Sequence, residues 1–204
     1  MSAAGRARLL DLLRELSFER RQVVLASGRE SDFYIDCKRT TLTAEGHALI
    51  GRLLLEKVRR IAPPVRAGGG LTLGADPIAS AVAMASFLER ERWGEPSMSG
   101  GRERGERAPD PIDAFIVRKE PKGHGTGQWI EGRRTIPDGS RVVVIEDVVT
   151  TGGSAIKAIE RCRAEALDPV ACLALVDRLE GGRDAIEAQG VPLDALFTRK
   201  DFLP

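Results

Sequence analysis

The sequence predicts an α/β fold in which helices wind on both sides of a parallel sheet. Three short, continuous apolar runs carry this prediction: AFIV at 114–117, RVVVIE at 141–146 and VACLALV at 170–176. Such runs indicate strands that are buried on both faces, as in a parallel sheet covered by helices. A chain of 204 residues with 42% hydrophobic residues is of the size that builds one core, so we expect a single domain over residues 1–204.

The first forty residues are predicted to form a helix and a hairpin. Leucines recur at helical spacing between Arg6 and Phe18, which indicates an amphipathic helix. The segment QVVLASGRESDFYIDCK, residues 22–38, is then predicted to form two short strands. Gly28 lies at their turn, residues 27–29, where glycine permits the left-handed backbone of a tight hairpin.

Alternating helices and strands follow this N-terminal part. Thr43 is placed to cap a helix that reaches about Ile61. The segment AGGGLTL, residues 67–73, predicts the next strand. Asp76-Pro77 then begins a helix that continues through Leu88, because proline suits a first helical turn whose N–H would lack a partner anyway.

Two long segments interrupt this alternation. Residues 95–111, EPSMSGGRERGERAPDP, are rich in glycine, proline, serine and charge, which predicts a solvated loop. Residues 118–132, RKEPKGHGTGQWIEG, are polar, glycine-rich and too long for a simple connector. Loops of that length inside a compact domain are often lids or binding loops.

The stretch RVVVIEDVVTTGGSAIKAI, residues 141–159, carries the clearest functional signal. An apolar strand runs into Glu146 and Asp147 and then into the turn 150–154, TTGGS, before a helix begins. Glycine amides, hydroxyls and the helix N-terminus together favour a phosphate. The two acids are not phosphate ligands, so they require sugar hydroxyls, a cation or a metal ion shared with the substrate. Together these features predict a site for a phosphorylated sugar.

Several other classes of protein are disfavoured. The chain has neither G-x-x-x-x-G-K-[ST] nor G-x-G-x-x-G, and its formal charge of +1 provides no field for nucleic acid or an anionic membrane. No segment is apolar for long enough to be a membrane span. The three cysteines, Cys37, Cys162 and Cys172, show no metal-ligand spacing and suit a reducing compartment. We therefore expect a cytoplasmic protein that binds neither nucleic acid nor membrane.

The strand, acidic pair and Thr-Thr-Gly-Gly-Ser turn resemble the motif with which type I phosphoribosyltransferases bind phosphoribosyl pyrophosphate (PRPP). Three further segments are similar to orotate phosphoribosyltransferases of that group. These are RKEPKGHG in the loop 118–132, SGRESDFYIDCK in the hairpin, and LVDRLEGG around Arg178. The resemblance covers nearly the whole chain in the right order. It implies a type I phosphoribosyltransferase fold with a small N-terminal hood, about residues 1–40, that forms part of the base-binding lobe.

The resemblance also implies an activity and its residues. The chain is expected to transfer the phosphoribosyl group of PRPP to orotate, a step of pyrimidine (UMP) biosynthesis, with Mg²⁺ bound mainly through PRPP and not by a direct protein site. The expected catalytic residues are Lys119, Lys122, His124 and Asp147. The expected PRPP-binding residues are Arg118, Lys119, Lys122, His124, Glu146, Asp147, Val148, Val149, Thr150, Thr151, Gly152, Gly153 and Ser154. The expected orotate-binding residues are Tyr34, Ile35, Thr150 and Arg178.

Two positions depart from the family's pattern. Some members carry a lysine just before Ser-Gly-Arg in the hairpin, where this chain has Ala26, and some carry one in the loop that reads LTLGADP here. We expect backbone amides near Thr72 to Ala75 to take over that contact. The resemblance further implies a homodimer in which the loop 118–132 reaches the partner's site and closes over PRPP.

Three alternatives stay open at this stage. A purine phosphoribosyltransferase would share the cradle but is not expected to carry the RKEPKGHG loop. A PRPP-sensing regulator would need a DNA-binding module, and the N-terminus shows just one helix without a basic helix-turn-helix. A zinc or thiol enzyme is disfavoured by the cysteine spacing.

Overall fold

The N-terminal part forms a helix followed by an antiparallel strand pair. The structure, a computed structural model, describes residues 3–24, 30–94, 108–121 and 128–203. Helix α1 is Ala3–Leu12 and continues into a π-helical turn, Leu13–Ser17. Strands β1, Phe18–Val24, and β2, Glu30–Ile35, then pair antiparallel. The predicted helix and hairpin are confirmed, and the predicted turn at 27–29 lies outside the described residues.

The boundary between this helix and its hairpin differs from the prediction. The helix was expected to reach Phe18, but β1 already begins there. The ring of Phe18 lies 5.1 Å from that of Phe33 and 5.5 Å from that of Phe202, measured between centroids. This aromatic packing favours an extended backbone at Phe18, because it places the ring against the facing strand.

Two helices precede the main sheet. A short helix α2, Lys38–Thr41, leads into α3, Ala44–Val58. The Thr43 hydroxyl accepts a hydrogen bond from the Gly46 amide at 3.1 Å, so the predicted N-cap is confirmed.

The main sheet has six strands in the order β5-β4-β3-β6-β7-β8. All neighbouring pairs are parallel except β4 with β5. The strands are β3 Ala67–Leu71, β4 Asp113–Val117, β5 Ile130–Glu131, β6 Arg141–Val149, β7 Asp168–Asp177 and β8 Leu193–Thr198. The helices between and after them are α4 Ala75–Gly94, α5 Gly153–Ala164, α6 Gly182–Glu187 and α7 Arg199–Phe202. The predicted α/β class with a parallel sheet flanked by helices is confirmed.

Strand β6 is buried on both faces, as its continuous apolar run predicts. Val143 and Ile145 belong to the core that α1, α3 and α4 cover, whereas Val142 and Val144 belong to the core under α5. Successive side chains of a strand point to opposite faces, so one strand supplies both cores. Among the described helices, none is long and apolar enough to cross a lipid bilayer.

Two strands and one helix end were not predicted. Strand β8 is an edge strand whose Asp194 is exposed and bonded to Lys57, so it shows no continuous apolar run. Strand β5 has two residues and lies inside the segment expected to be a loop. Helix α4 extends to Gly94 instead of ending near Leu88, and residues 95–107 of the next predicted loop lie outside the described part of the chain.

Candidate functional site

The two acids of the motif point to opposite faces of β6. The Glu146 carboxyl is buried, and its Oε2 has no hydrogen-bond partner among the described residues. Burial, with a smaller contribution from Asp147, raises the pKa of Glu146 to about 9. The Asp147 carboxylate lies on the α4 side, where its Oδ1 accepts from the Val148 amide at 2.9 Å. Adjacent acids in the sequence therefore occupy different environments.

The turn after β6 leaves a helix N-terminus without a side-chain cap. Gly152 is the N-cap of α5, has a φ of 83°, and supplies no side-chain acceptor. No acidic residue stands in the first turn of α5 either. The first N–H groups of a helix lack partners within the helix, and they carry the positive end of its dipole. This end of α5 is therefore suited to an anion, as the sequence predicts.

A cavity of about 290 Å³, which we call the cradle cavity, opens over this helix end. Of the expected PRPP-binding residues, all those between Glu146 and Ser154 except Asp147 line it. They are Glu146, Val148, Val149, Thr150, Thr151, Gly152, Gly153 and Ser154, together with Lys157. The structure thus brings together the motif's backbone and hydroxyl donors, while Asp147 approaches from the other side of the strand.

A larger cavity of about 530 Å³, the loop-base cavity, adjoins the cradle cavity at Ser154 and Lys157. Its lining residues are Leu71, Arg118, Lys119, Trp129, Ser154, Lys157, Glu160 and Arg161. No ion pair links Lys119, Lys157 or Arg161 to another residue in the described ranges, so local positive charge is available beside the cradle. Lys122 and His124, both expected to be catalytic, lie outside the described residues.

The ends of the predicted catalytic loop are fixed where they meet the sheet. The Arg118 amide donates to the Trp129 carbonyl at 2.9 Å, and the Arg118 guanidinium pairs with Glu131 at 3.2 Å. The Arg161 guanidinium lies over the Trp129 ring, 3.5 Å from its centroid. Helix α5, which begins at the cradle, therefore also contacts the loop base through a cation–π interaction.

Thr150 and Arg178, two of the expected orotate-binding residues, lie together at the end of β7, whereas the Arg21 guanidinium lies over the Tyr34 ring, 4.0 Å from its centroid. The Arg178 amide donates to the Val149 carbonyl at 2.9 Å, which places Arg178 beside Thr150. Its guanidinium donates to the Phe33 carbonyl at 3.0 Å and so reaches the hairpin strand that carries Tyr34. The Ile35 side chain is partly buried and packs against the core.

The loop between β3 and α4 packs tightly against Asp147. A Cβ added to Gly74 would lie 2.4 to 2.6 Å from the three atoms of the Asp147 carboxylate. The Thr72 amide is bonded to the Val117 carbonyl at 2.9 Å, and the Thr72 hydroxyl donates to Asp76 at 2.6 Å. The expectation that amides from Thr72 onward bind the ligand is therefore wrong for Thr72 itself, because parallel pairing with β4 already uses its N–H.

Sequence reasoning missed several residues of the site. Lys157 and Arg161 follow Ser154 at positions i+3 and i+7, which places all three on one face of α5. This helical spacing is visible in the sequence and could have predicted that Lys157 and Arg161 lie near the site. Gly74 and Glu180 gave no such signal, since their roles depend on contacts with residues distant in the chain.

Comparisons with known proteins agree with this geometry. The phosphoribosyl transferase domain model matches residues 103–188. The chain is 50% identical to an orotate phosphoribosyltransferase of Sorangium cellulosum in an alignment of 207 positions covering all of this chain and 97% of the relative. It is 45% identical to one of Aquifex aeolicus, over 88% of this chain and 85% of the relative.

Solved structures show the same likeness. An orotate phosphoribosyltransferase of Mycobacterium tuberculosis in complex with Fe(III) dicitrate is 38% identical, with a TM-score of 0.75 and coverage of 98% of this chain and 99% of that one. The same enzyme in complex with PRPP is 37% identical, with a TM-score of 0.71 and coverage of 97% and 98%.

Fold, cradle and domain match define a phosphoribosyltransferase of the α/β type. Sequence identity to orotate phosphoribosyltransferases over most or all of their length identifies the family within this class. The chain belongs to the orotate phosphoribosyltransferase family.

Proposed function

We propose that this chain transfers the 5-phosphoribosyl group of PRPP to orotate. A ring nitrogen of orotate loses its proton and forms a bond to the anomeric carbon, the bond from that carbon to the pyrophosphate oxygen breaks with its electron pair on that oxygen, and orotidine 5′-monophosphate, pyrophosphate and the proton leave. The observation that carries the proposal is the uncapped N-terminus of α5 in a cavity that also holds Glu146 and Lys157. This cavity combines an anion site, the N-terminus of α5, with an acceptor for a sugar hydroxyl, Glu146.

The cradle binds the 5-phosphate of PRPP. Amides from Thr150 to Ser154 and the hydroxyls of Thr150, Thr151 and Ser154 supply donors, while the α5 dipole favours the negative charge. Lys157 lines the same cavity and adds a cation. These contacts fix the sugar relative to the sheet, which is the positioning that a displacement reaction requires.

Asp147 and Glu146 act on the ribose side of PRPP. Both offer oxygens to ribose hydroxyls, and the unpartnered Oε2 of Glu146 is a buried group that such a hydroxyl would satisfy. Oxygen ligands also fit Mg²⁺. We propose that the metal ion is held mainly by PRPP oxygens, with these acids beside it. When bound, Mg²⁺ would neutralise charge on the pyrophosphate.

Cations at the loop base stabilise the leaving group. Negative charge builds on pyrophosphate while the sugar becomes cationic and oxocarbenium-like. Lys119 is exposed and has no ion-pair partner among the described residues, so it offers a full charge, whereas Arg118 already pairs with Glu131. Lys122 and His124 complete this group in the proposal, with His124 donating a hydrogen bond or a proton.

Orotate binds between the hairpin and the end of β7. Arg178 holds its carboxylate with charge-assisted hydrogen bonds, and Tyr34, Thr150 and the Ile35 backbone complete the base site. Uracil lacks that carboxylate. Arg178→Ala is therefore expected to raise KM for orotate and leave KM for PRPP unchanged, and equal increases in both would contradict this role.

The reaction is tested by the loss of orotate absorbance after PRPP and Mg²⁺ are added. Uracil, hypoxanthine and guanine serve as control bases, and turnover of a purine in place of orotate would refute the assignment. Asp147→Asn should weaken PRPP binding by about 1.5–3 kcal/mol, the value of a hydrogen bond to a charged group. Calorimetric titration of PRPP into this variant checks that contact directly.

The proposal includes a homodimer. On α4, Met84, Phe87 and Leu88 are 58%, 49% and 45% exposed, and three large apolar side chains on one helix suit a subunit interface. A second copy would bury them and bring its loop to the site. Mixing Lys122→Ala with Asp147→Asn subunits tests this, because hybrid dimers regain one intact site only if the loop acts across the interface.

The proposal also includes a cytoplasmic location. The three cysteines are free and buried, as expected of a protein made in a reducing compartment. Fractionation of cells that produce the protein at natural levels would test it, and recovery from a secreted fraction would contradict it.

A further inference from the structure

Arg178 forms a buried ion pair with Glu180, a residue outside the expected site. One carboxylate oxygen, Oε1, lies 3.1 Å from Nε and 3.0 Å from Nη2 of the guanidinium. Each side chain is only 10% exposed. The same Nη2 donates to the Phe33 carbonyl at 3.0 Å. Glu180 therefore fixes the Nε–Nη2 edge of the arginine at the junction between β7 and the hairpin.

The backbone between the two residues takes an uncommon conformation to form this pair. Leu179 has a φ of 58°, in the left-handed region that residues with a Cβ rarely adopt. Its amide donates to the buried carboxylate of Asp177 at 2.9 Å, and Arg183 pairs with that carboxylate at 3.2 Å. The turn folds Glu180 back onto Arg178. Left-handed non-glycine residues that persist in this way cluster at functional sites.

The second oxygen of Glu180 is also informative. Oε2 is buried and has no hydrogen-bond partner in the part of the chain that the structure describes. A buried acceptor without a partner opposes folding, because it has lost its hydrogen bonds to water. Stability alone therefore does not account for a carboxylate in this place.

We propose that Glu180 is a positioning and specificity residue for orotate. Glu180 holds the Arg178 guanidinium toward the base site. Its negative charge also reduces the electrostatic attraction between Arg178 and the orotate carboxylate. The inference rests on the proposed function, since it concerns how that same site binds its base.

The two roles respond differently to substitution. Glutamine keeps an oxygen that accepts from Arg178 but removes the charge, so the guanidinium stays in place and attracts an anion more strongly. Alanine removes both the charge and the acceptor, so Arg178 loses its orientation. The two variants are therefore expected to shift orotate binding in opposite directions, which a purely structural residue would not do.

Steady-state kinetics with both substrates tests this. Glu180→Gln is expected to lower KM for orotate by about threefold or more, and Glu180→Ala to raise it by about tenfold, which corresponds to about 1.4 kcal/mol. KM for PRPP should stay within about twofold of wild type in both, a difference of about 0.4 kcal/mol. Glu45→Gln is the matched control, because Glu45 forms an exposed ion pair with Arg8 at 2.7 Å, with side chains 50% and 48% exposed. It should match wild type.

Two results would overturn the inference: shifts of KM for orotate in the same direction in both variants, or equal shifts for orotate and PRPP. If a thermal melt shows that Glu180→Ala does not fold, the sign of the change in Glu180→Gln decides. A wild-type enzyme that does not consume orotate would instead refute the proposed function. The two failures are therefore distinguishable.

Discussion

Replacing Gly74 with alanine should weaken PRPP binding as well as lower the stability of the fold. The added Cβ would lie 2.4 Å from Oδ1, 2.5 Å from Cγ and 2.6 Å from Oδ2 of Asp147. Contacts this short cannot persist, so either the loop or the carboxylate must move. Asp147 is short and its Oδ1 is bonded to the Val148 amide at 2.9 Å, so its rotation breaks that bond.

The size of the effect follows from these contacts. Overpacking typically costs about 1–3 kcal/mol. In a domain of this size each kcal/mol lowers Tm by about 2–4 °C. The displaced carboxylate would also lose its proposed contact with PRPP, and a loss of about 1.4 kcal/mol there weakens PRPP binding about tenfold.

Thermal melts and calorimetric titration of PRPP measure the two effects separately. A double-mutant cycle with Asp147→Ala then isolates the contact, because Gly74→Ala should cost less once the carboxylate is absent. Normal Tm and normal PRPP affinity in Gly74→Ala would refute the argument. Additive effects in the cycle would show that the clash is not with Asp147.

Three other predictions follow from the same geometry. Gly152→Ala should lower stability by about 1 kcal/mol or more, because φ is 83° and a backbone carbonyl lies 2.9 Å from the new Cβ. A Cβ added to Gly153 would meet no atom within 4 Å, so Gly153→Ala should keep the Tm of wild type. Equal Tm values for Gly152→Ala and Gly153→Ala would contradict this prediction. The Glu146 pKa of about 9 lies above the unfolded value of 4.5, so the contribution of this group to stability is fully present below pH 4.5, falls as the pH rises above that value and is fully lost once the pH has passed 9. Glu146→Gln should therefore gain stability over wild type between pH 5 and 8 in urea titrations, and a constant difference would refute the shift. Arg161→Met should lower the free energy of unfolding by about 0.5–1 kcal/mol through loss of the Trp129 stack, with KM for orotate unchanged.

Much of the sheet was predictable because its central strands are buried on both faces. Val142 to Ile145 are all fully buried, so hydrophobic character is continuous and unmistakable along β6. The cradle was predictable for a similar reason, since the turn, the glycines and the following helix are consecutive in the chain. Local features of this kind leave a local signature.

Features that depend on distant contacts left no such signature. Two of the six residues of the edge strand β8, Asp194 and Thr198, are polar, and β5 forms only because β4 offers it a partner. Gly74 matters because Asp147, far along the chain, packs on it, and Glu180 matters because the turn at Leu179 directs it to Arg178. These residues are visible in the sequence, but the contacts between them are not.

The acidic pair was predicted as part of the motif, but the sequence did not predict that its two side chains lie on opposite faces of β6. Glu146 and Asp147 are neighbours in sequence, but strand periodicity sends the first to the cradle cavity and the second to the loop before α4. Burial keeps the Glu146 carboxyl protonated near neutral pH, so it can donate as well as accept a hydrogen bond. A ligand that contacts both acids must therefore extend over the carboxyl end of β6, with its phosphate on the α5 side. PRPP, with a 5-phosphate at one end of its ribose and a pyrophosphate at the other, has the shape that this division requires.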